Sequence, residues 1–166
     1  ADRPVVVWSH DPDYAVEVAQ SRLNSKFLPG VEIPLEILWT GDHDQALEGA
    51  DEIYSVIPTQ FLRDVLRGFE GRLAGLPFVS ATKGLEIDTL SRPSEILVEE
   101  GGAGEDLVVL SGPSHAEEVA KGMATSVVAA STSKESARRV QGHISGPEFR
   151  VYTSLDVPGV EVGGAL

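Results

Sequence analysis

The 166-residue chain contains no cysteine at all, which removes disulfides, thiolate metal sites and a cysteine nucleophile from consideration and leaves the redox compartment open. Basic residues are also scarce: 13 Lys and Arg face 26 Asp and Glu, a formal charge of -13. Such a far field repels the phosphate backbone of nucleic acid and the acidic face of a membrane. No apolar run reaches the ~20 residues that a membrane-spanning helix needs, and Ala1-Asp-Arg-Pro4 does not resemble a signal peptide. A soluble intracellular protein with no nucleic-acid partner and no membrane insertion is therefore expected. The four histidines, His10, His43, His115 and His143, are scattered without metal-ligand spacing, so no metal is expected. Low-complexity segments, internal repeats and heptads are missing too.

What is present is alternation. Short runs rich in Val, Ile and Leu are separated by longer amphipathic stretches, the signature of a mostly parallel sheet covered by helices. At this length one domain with one core is the expectation. Strands are predicted at 5–8, 35–39, 52–57, 76–80, 107–110, 126–130 and 149–153. Helices are predicted at 14–23, 44–48, 60–68, 95–99, 115–122 and 134–143. Val5-Val-Val-Trp8 is apolar throughout and reads as a strand buried on both faces. Thr59 reads as the cap of the third helix. Glu100-Gly-Gly-Ala-Gly-Glu105 reads as a surface loop, and the small residues of Val160–Leu166 suggest a segment packed tightly against something.

In an open α/β sheet, ligands gather at the carboxyl ends of the strands. Three segments lie there: Ser9-His-Asp11, Ala81-Thr-Lys-Gly84 and Ser111-Gly-Pro-Ser-His115. Gly112 permits close backbone approach, Pro113 fixes a turn, and Ser114 stands where a helix begins, so the segment suits an anion; Ser114 as a plain helix cap is the competing reading. Lys83, between Thr82 and Gly84, is either a solvated lysine or a compact cation for a phosphate or a polarised carbonyl oxygen. His10 follows the first strand, where a nucleotide-binding domain meets the adenosine ribose. With Asp11 rather than an immediate carboxylate, NADP or dual use is the hypothesis. No G-x-G-x-x-G occurs in the sequence, so a pyrophosphate cradle is missing from it.

The segments VVVWSHDPD, RLNSKFLPG, ALEGADEIYSVIPTQFLRDVL, VSATKGLE, VVLSGPSHAEEVAKGMATSVVAAS and FRVYTSLDVPGVEVGGAL together resemble, in order and spacing, the bacterial NAD(P)-dependent glycerol-3-phosphate dehydrogenases. The resemblance implies a Rossmann-type, doubly wound, mostly parallel sheet with helices on both faces, spanning 1–166 as a partial NAD(P)-binding domain. It also implies interconversion of dihydroxyacetone phosphate and sn-glycerol 3-phosphate with NAD or NADP, supplying glycerophospholipid synthesis in the cytoplasm. The partner is the small-molecule substrate, and a homodimer is allowed. By motif match, Lys83 corresponds to a lysine touching both substrate and cofactor. Gly112 and Ser114 correspond to substrate-loop residues, while His10, Phe61 and Ala116 correspond to cofactor contacts.

The same resemblance implies a first strand with the glycine fingerprint ahead of Arg3, a proton-transferring lysine just after Leu166, and a helical carboxyl-terminal domain. Without the first strand a gap in the middle of the sheet is expected, and the chain alone should be inactive. A noncatalytic Rossmann-like binding or assembly module is the alternative, and a related phosphate-sugar or hydroxyacid dehydrogenase is a third reading that the SGPSHAEEVA loop fits less well.

Overall fold

A computed structural model describes residues 3–165. Strand and helix alternate throughout: β1 (Val5–Trp8), α1 (Pro12–Ser21), β2 (Ile37–Thr40), α2 (His43–Leu47), β3 (Ile53–Ser55), α3 (Thr59–Gly68), β4 (Phe78–Ser80), α4 (Pro93–Gly101), β5 (Val108–Ser111), α5 (Ala116–Ala120), β6 (Thr125–Ala130), α6 (Lys134–Ile144), β7 (Phe149–Ser154) and α7 (Val157–Ala165). The expected α/β alternation is therefore correct, and α7 is the element it missed. The strands form two sheets, β1-β2 and β3-β4-β5-β6-β7, and every pairing is parallel except that of β5 with β6. The chain divides into two compact units, 1–50 with 116–121, and 51–115 with 122–166.

The smaller unit is built around β1 and β2, paired in register from Val5 with Ile37 to Trp8 with Thr40. Asp11 caps α1 by accepting from the Tyr14 N–H at 3.0 Å, Pro12 occupies the first turn, and Arg22 ends the helix in the left-handed region. Ala15 and Val18 are the buried face of α1; Leu23, the last residue of the helix predicted at 14–23, lies beyond the helix end and is exposed. Trp8 stacks on His43 at 5.0 Å and donates its indole N–H to Gly41 O. The expectation that β1 is buried on both faces is wrong: Val5 is 47% and Val6 36% exposed, since β1 has one strand neighbour, β2.

The larger unit holds the main core. Val79, Val108, Val127, Ala129, Val140 and Val151 form one buried cluster, with Leu110, Ile144 and Phe149 packed against it. Fully burying such a side chain contributes roughly 1.5–3 kcal/mol before entropy is counted. α3 packs against α4, each presenting buried Leu or Ile: Leu62 and Leu66 on one, Ile96 and Leu97 on the other. Short crossovers through α3 and α4 keep β3, β4 and β5 parallel, so their last residues, Ser55, Ser80 and Ser111, end on one edge of the sheet.

Candidate functional site at the carboxyl edge of the larger sheet

Two of the three segments singled out by sequence meet at that edge. Just past β4, the Lys83 ammonium donates to Gly112 O at 2.7 Å and to the Ser114 hydroxyl at 3.3 Å, both in the segment following β5. The Ser114 hydroxyl itself lies 3.3 Å from Gly112 O as a donor. Ser114 thus bonds both the lysine and its own loop. Gly112 has no substitute: its φ is +148°, and a Cβ there would stand 2.7 Å from Ser126 O on the neighbouring strand.

The backbone around Lys83 is held from below. Thr82 is buried, with its hydroxyl 3.3 Å from both Ser55 Oγ and Ser55 O. Ala81 N–H donates to Ser55 O at 2.8 Å, extending the ladder by one residue. Thr59 is not the cap of α3. Pro58, with φ -57° and ψ 134°, is the residue outside the helix; Thr59 is already helical and donates its hydroxyl to Lys83 O at 2.6 Å. Gly84 follows at φ +99°, which lets the chain leave the lysine without a side chain above Thr59.

The segment beyond Gly84 is tied to α3 as well. Gln60 donates to Leu85 O and accepts from Ile87 N–H. Arg63 forks onto Glu86 with Nε and Nη2 at 3.0 Å each, and its Nη1 reaches Glu99 and Glu100 of α4 at 3.0 and 2.7 Å. Arg67 completes the network through Glu100. The Arg63 guanidinium, and then the Thr89 hydroxyl, hold the Glu86 carboxyl below its ordinary value. Arg67 and Arg63 do the same for Glu100, and Arg63 is in turn raised by Glu86, Glu100 and Glu99. Lys83 is exposed, while the backbone on either side of it is held by Thr82, Thr59 and Gln60.

Phe61 lies on the first turn of α3 and is 64% exposed; Val56, one residue past β3, is 72% exposed. Both are bare apolar side chains near the carboxyl end of β3. His10 and Ala116 are exposed and belong to the smaller unit. Asp11, considered for the ribose, has one oxygen engaged as the cap of α1. Sequence reasoning missed the supports Thr59, Arg63 and Glu86. For Thr59 and Arg63 the signal was the polar spacing TQFLR, which an amphipathic helix produces in any case, and Glu86 stood at the end of VSATKGLE with nothing to mark its partner.

A doubly wound α/β scaffold with a fixed cation and a glycine-turn loop at the carboxyl ends of its parallel strands defines the class of Rossmann-type nucleotide-binding domains. Residues 1–137 match the family described as NAD-dependent glycerol-3-phosphate dehydrogenase N-terminus, and the chain belongs to that family. It is 42% identical over 166 residues to the glycerol-3-phosphate dehydrogenase [NAD(P)+] of Geobacter metallireducens, covering 98% of this chain and 49% of that protein. Against the Bacillus pumilus protein of the same name the identity is 43% over 165 residues, covering 98% and 48%. The crystal structure of the Coxiella burnetii glycerol-3-phosphate dehydrogenase superposes with a TM-score of 0.87 at 30% identity, covering 96% of this chain and 49% of that one. The chain thus spans about half the length of the curated relatives it matches.

Proposed function

We propose that the complete gene product carrying this chain interconverts dihydroxyacetone phosphate and sn-glycerol 3-phosphate with NAD or NADP, and that this chain forms its cofactor-side domain. The observation that carries the reading is the meeting of the two most specific motifs, SATKGLE and LSGPSHAEEVA, through the 2.7 Å bond from Lys83 Nζ to Gly112 O. Family membership and the named relatives support the substrate.

An ammonium has three donors. Two are directed at Gly112 O and Ser114 Oγ, which leaves one for an oxygen of the substrate. Lys83 thereby stabilises negative charge developing on the ketone oxygen and orients the molecule against the cofactor. Gly112 and Ser114 shape the substrate side and Phe61 with Val56 borders the nicotinamide side; His10 and Ala116 are assigned to the cofactor by motif match alone. The nicotinamide, when bound, supplies or accepts the hydride at C2 of the substrate. The same reading gives a cytoplasmic enzyme feeding glycerophospholipid synthesis and allows a homodimer. Among the described residues no helix is long and apolar enough to cross a membrane.

Oxidation of NADH or NADPH by the complete gene product, with dihydroxyacetone phosphate as acceptor, tests this directly. Lys83→Ala should lower kcat/KM by about 10²–10³-fold, the usual effect of removing one preorganised charge donor. Turnover near the wild-type rate in that variant would remove Lys83 from the site. Wild-type protein that binds NADPH by calorimetry yet reduces no ketone would favour the noncatalytic binding module.

A further inference from the structure

Glu161 is a lone charge in an otherwise apolar and glycine-rich stretch, Val157-Pro-Gly-Val-Glu-Val-Gly-Gly-Ala165. Its side chain is 2% exposed. Isolated burial of a carboxylate is costly, and the residue persists only where its oxygens are matched by donors. Here they are: Oε1 accepts from Ser94 N–H at 2.8 Å, and Oε2 accepts from the Ser94 hydroxyl at 2.6 Å and from Arg92 Nη1 at 2.9 Å.

All three donors sit at the amino terminus of α4. The N-cap residue of that helix is Arg92, whose guanidinium has no acceptor to offer the helix; its own N–H is met by Glu95 Oε2 at 2.9 Å. Pro93 has no N–H, so Ser94 carries the first unsatisfied donor of the helix. Glu161 meets it from another helix, with its negative charge at the positive end of the α4 dipole.

Three residues further along, α7 makes a second close approach. A Cβ at Gly164 would collide with the Ser111 hydroxyl. The hydroxyl can turn aside, but Ser111 Cβ would still lie 3.3 Å from the added methyl, so glycine lets the helix backbone lie closest to the last residue of β5, next to Gly112 and the carbonyl that receives Lys83. α7 packs along β5 and β6; Val157 and Pro158 share a groove with Leu107 at the start of β5, and Gly164 lies at the end of the strand. The helix is short, with apolar and small residues on all sides, so packing alone sets its axial position weakly.

We infer that Glu161 is a positioning residue for the substrate loop: by docking on the amino terminus of α4 it fixes α7 along β5, and through the Gly164–Ser111 contact it fixes Gly112 to Ser114 beneath Lys83. The inference rests on the functional reading only for its effect on the ketone substrate; the effect on loop order stands by itself.

The test uses Glu161→Ala, Glu161→Gln and Gly164→Ala in the complete gene product. Glu161→Gln keeps the length and an acceptor but loses the charge; Gly164→Ala pushes α7 off Ser111 without touching the carboxylate. Hydrogen exchange is followed in peptides covering 91–97, 108–115 and 157–165, with 12–21 in the smaller unit as reference. Glu161→Ala should speed exchange in 108–115 by about tenfold, the scale of one lost buried hydrogen bond. Glu161→Gln should fall between, and Gly164→Ala should loosen 108–115 while 91–97 keeps its wild-type rate. KM for dihydroxyacetone phosphate should rise about tenfold with the cofactor KM unchanged, a split that general loss of stability does not produce.

Faster exchange confined to 91–97 and 157–165, with 108–115 at the wild-type rate, would overturn the inference and leave Glu161 a helix-docking residue. If the wild-type protein does not act on dihydroxyacetone phosphate, the functional reading fails alone, and the exchange pattern still decides the role of Glu161. Should Glu161→Ala not fold, the other two variants decide it in the same way.

Discussion

β1 and β5 both open on a Val-Val pair in two different settings, in the four-residue strands Val5-Val-Val-Trp8 and Val108-Val-Leu-Ser111. Yet Val108 and Val109 are 0% and 1% exposed, while Val5 and Val6 are 47% and 36% exposed. The strand of the larger unit has a neighbour strand on each side, β4 and β6, and carries α6 and α7 against it; among the described residues β1 has one neighbour strand, β2, and packs against the short helix α2. Burial is thus a property of what covers a strand and is only permitted, not produced, by its residues. The better-covered unit also carries the candidate site: Lys83, Gly112 and Ser114 follow its buried strands β4 and β5, which give a flexible four-carbon side chain a packed base.

The largest way to break this contrast is to open the covered sheet. Phe78 begins β4, is 1% exposed, and meets Gly101 of α4 at van der Waals distance from a would-be Cβ. Phe78→Ala should cost about 3–5 kcal/mol, since the ring leaves a cavity between sheet and helix that short strands cannot close. Exchange of the amides in 53–55, 78–80 and 108–111 should accelerate together, with 5–8 and 37–40 hardly changed. Acceleration in both sheets alike would mean that the two units do not open separately.

Much of this contrast was legible in the sequence and some of it was not. The positions of all seven strands follow from runs of β-branched residues bounded by Gly, Pro and Asp, and errors are confined to the ends: β4 begins at Phe78 because Pro77 has no N–H for the ladder, although Pro77 O still accepts from Ile53. Lys83 and Ser111-Gly-Pro-Ser114 were recognisable as strand-end segments, but the bond that joins them was not, because a contact between residues 29 apart is set by strand order. The exposure of β1 was illegible for the same reason: alternation and apolarity report on a residue's fitness for burial, never on the neighbour. α7 escaped because Gly163-Gly164 and three valines in nine residues argue against a helix by propensity, and tertiary packing on Ser111 overrides it.

A smaller perturbation acts on the loop alone. Glu86 and Glu100 both have carboxyl pKa values lowered in the folded protein from an ordinary 4.5. A lowered folded-state value means stabilisation that is complete above the unfolded value and is lost as pH falls through the folded one. Loop 84–91 should therefore keep its order from neutral pH down to about 4.5 and loosen below it. The side chains of Arg63 and Glu86 are only 19% and 12% exposed, so added salt at neutral pH should loosen the loop less than acid does. Fluorescence is of little use here because Trp8 and Trp39 both lie in the smaller unit; exchange in peptide 84–91 between pH 7 and 3.5, corrected for intrinsic rates, is the measurement. Loosening that begins near neutrality would assign the order of the loop to something other than these two carboxylates.

The smallest expected effect tests the exposed strand. If β1 is held by its ladder with β2 rather than by burial of its side chains, then polar substitution there should be nearly silent. Threonine preserves the β-branch, and with it the backbone preference of the strand, while replacing a methyl by a hydroxyl that water can reach. Val6→Thr should change stability by less than about 0.5 kcal/mol, as exposed substitutions do. Val109→Thr, in the fully covered β5, places the same hydroxyl where no water is available and should cost about 1–3 kcal/mol. The pair holds the chemical change constant and varies only the cover. Equal losses at the two positions, read as denaturant midpoints for each unit by exchange, would show that something in the complete gene product covers Val6 as thoroughly as the larger sheet covers Val109.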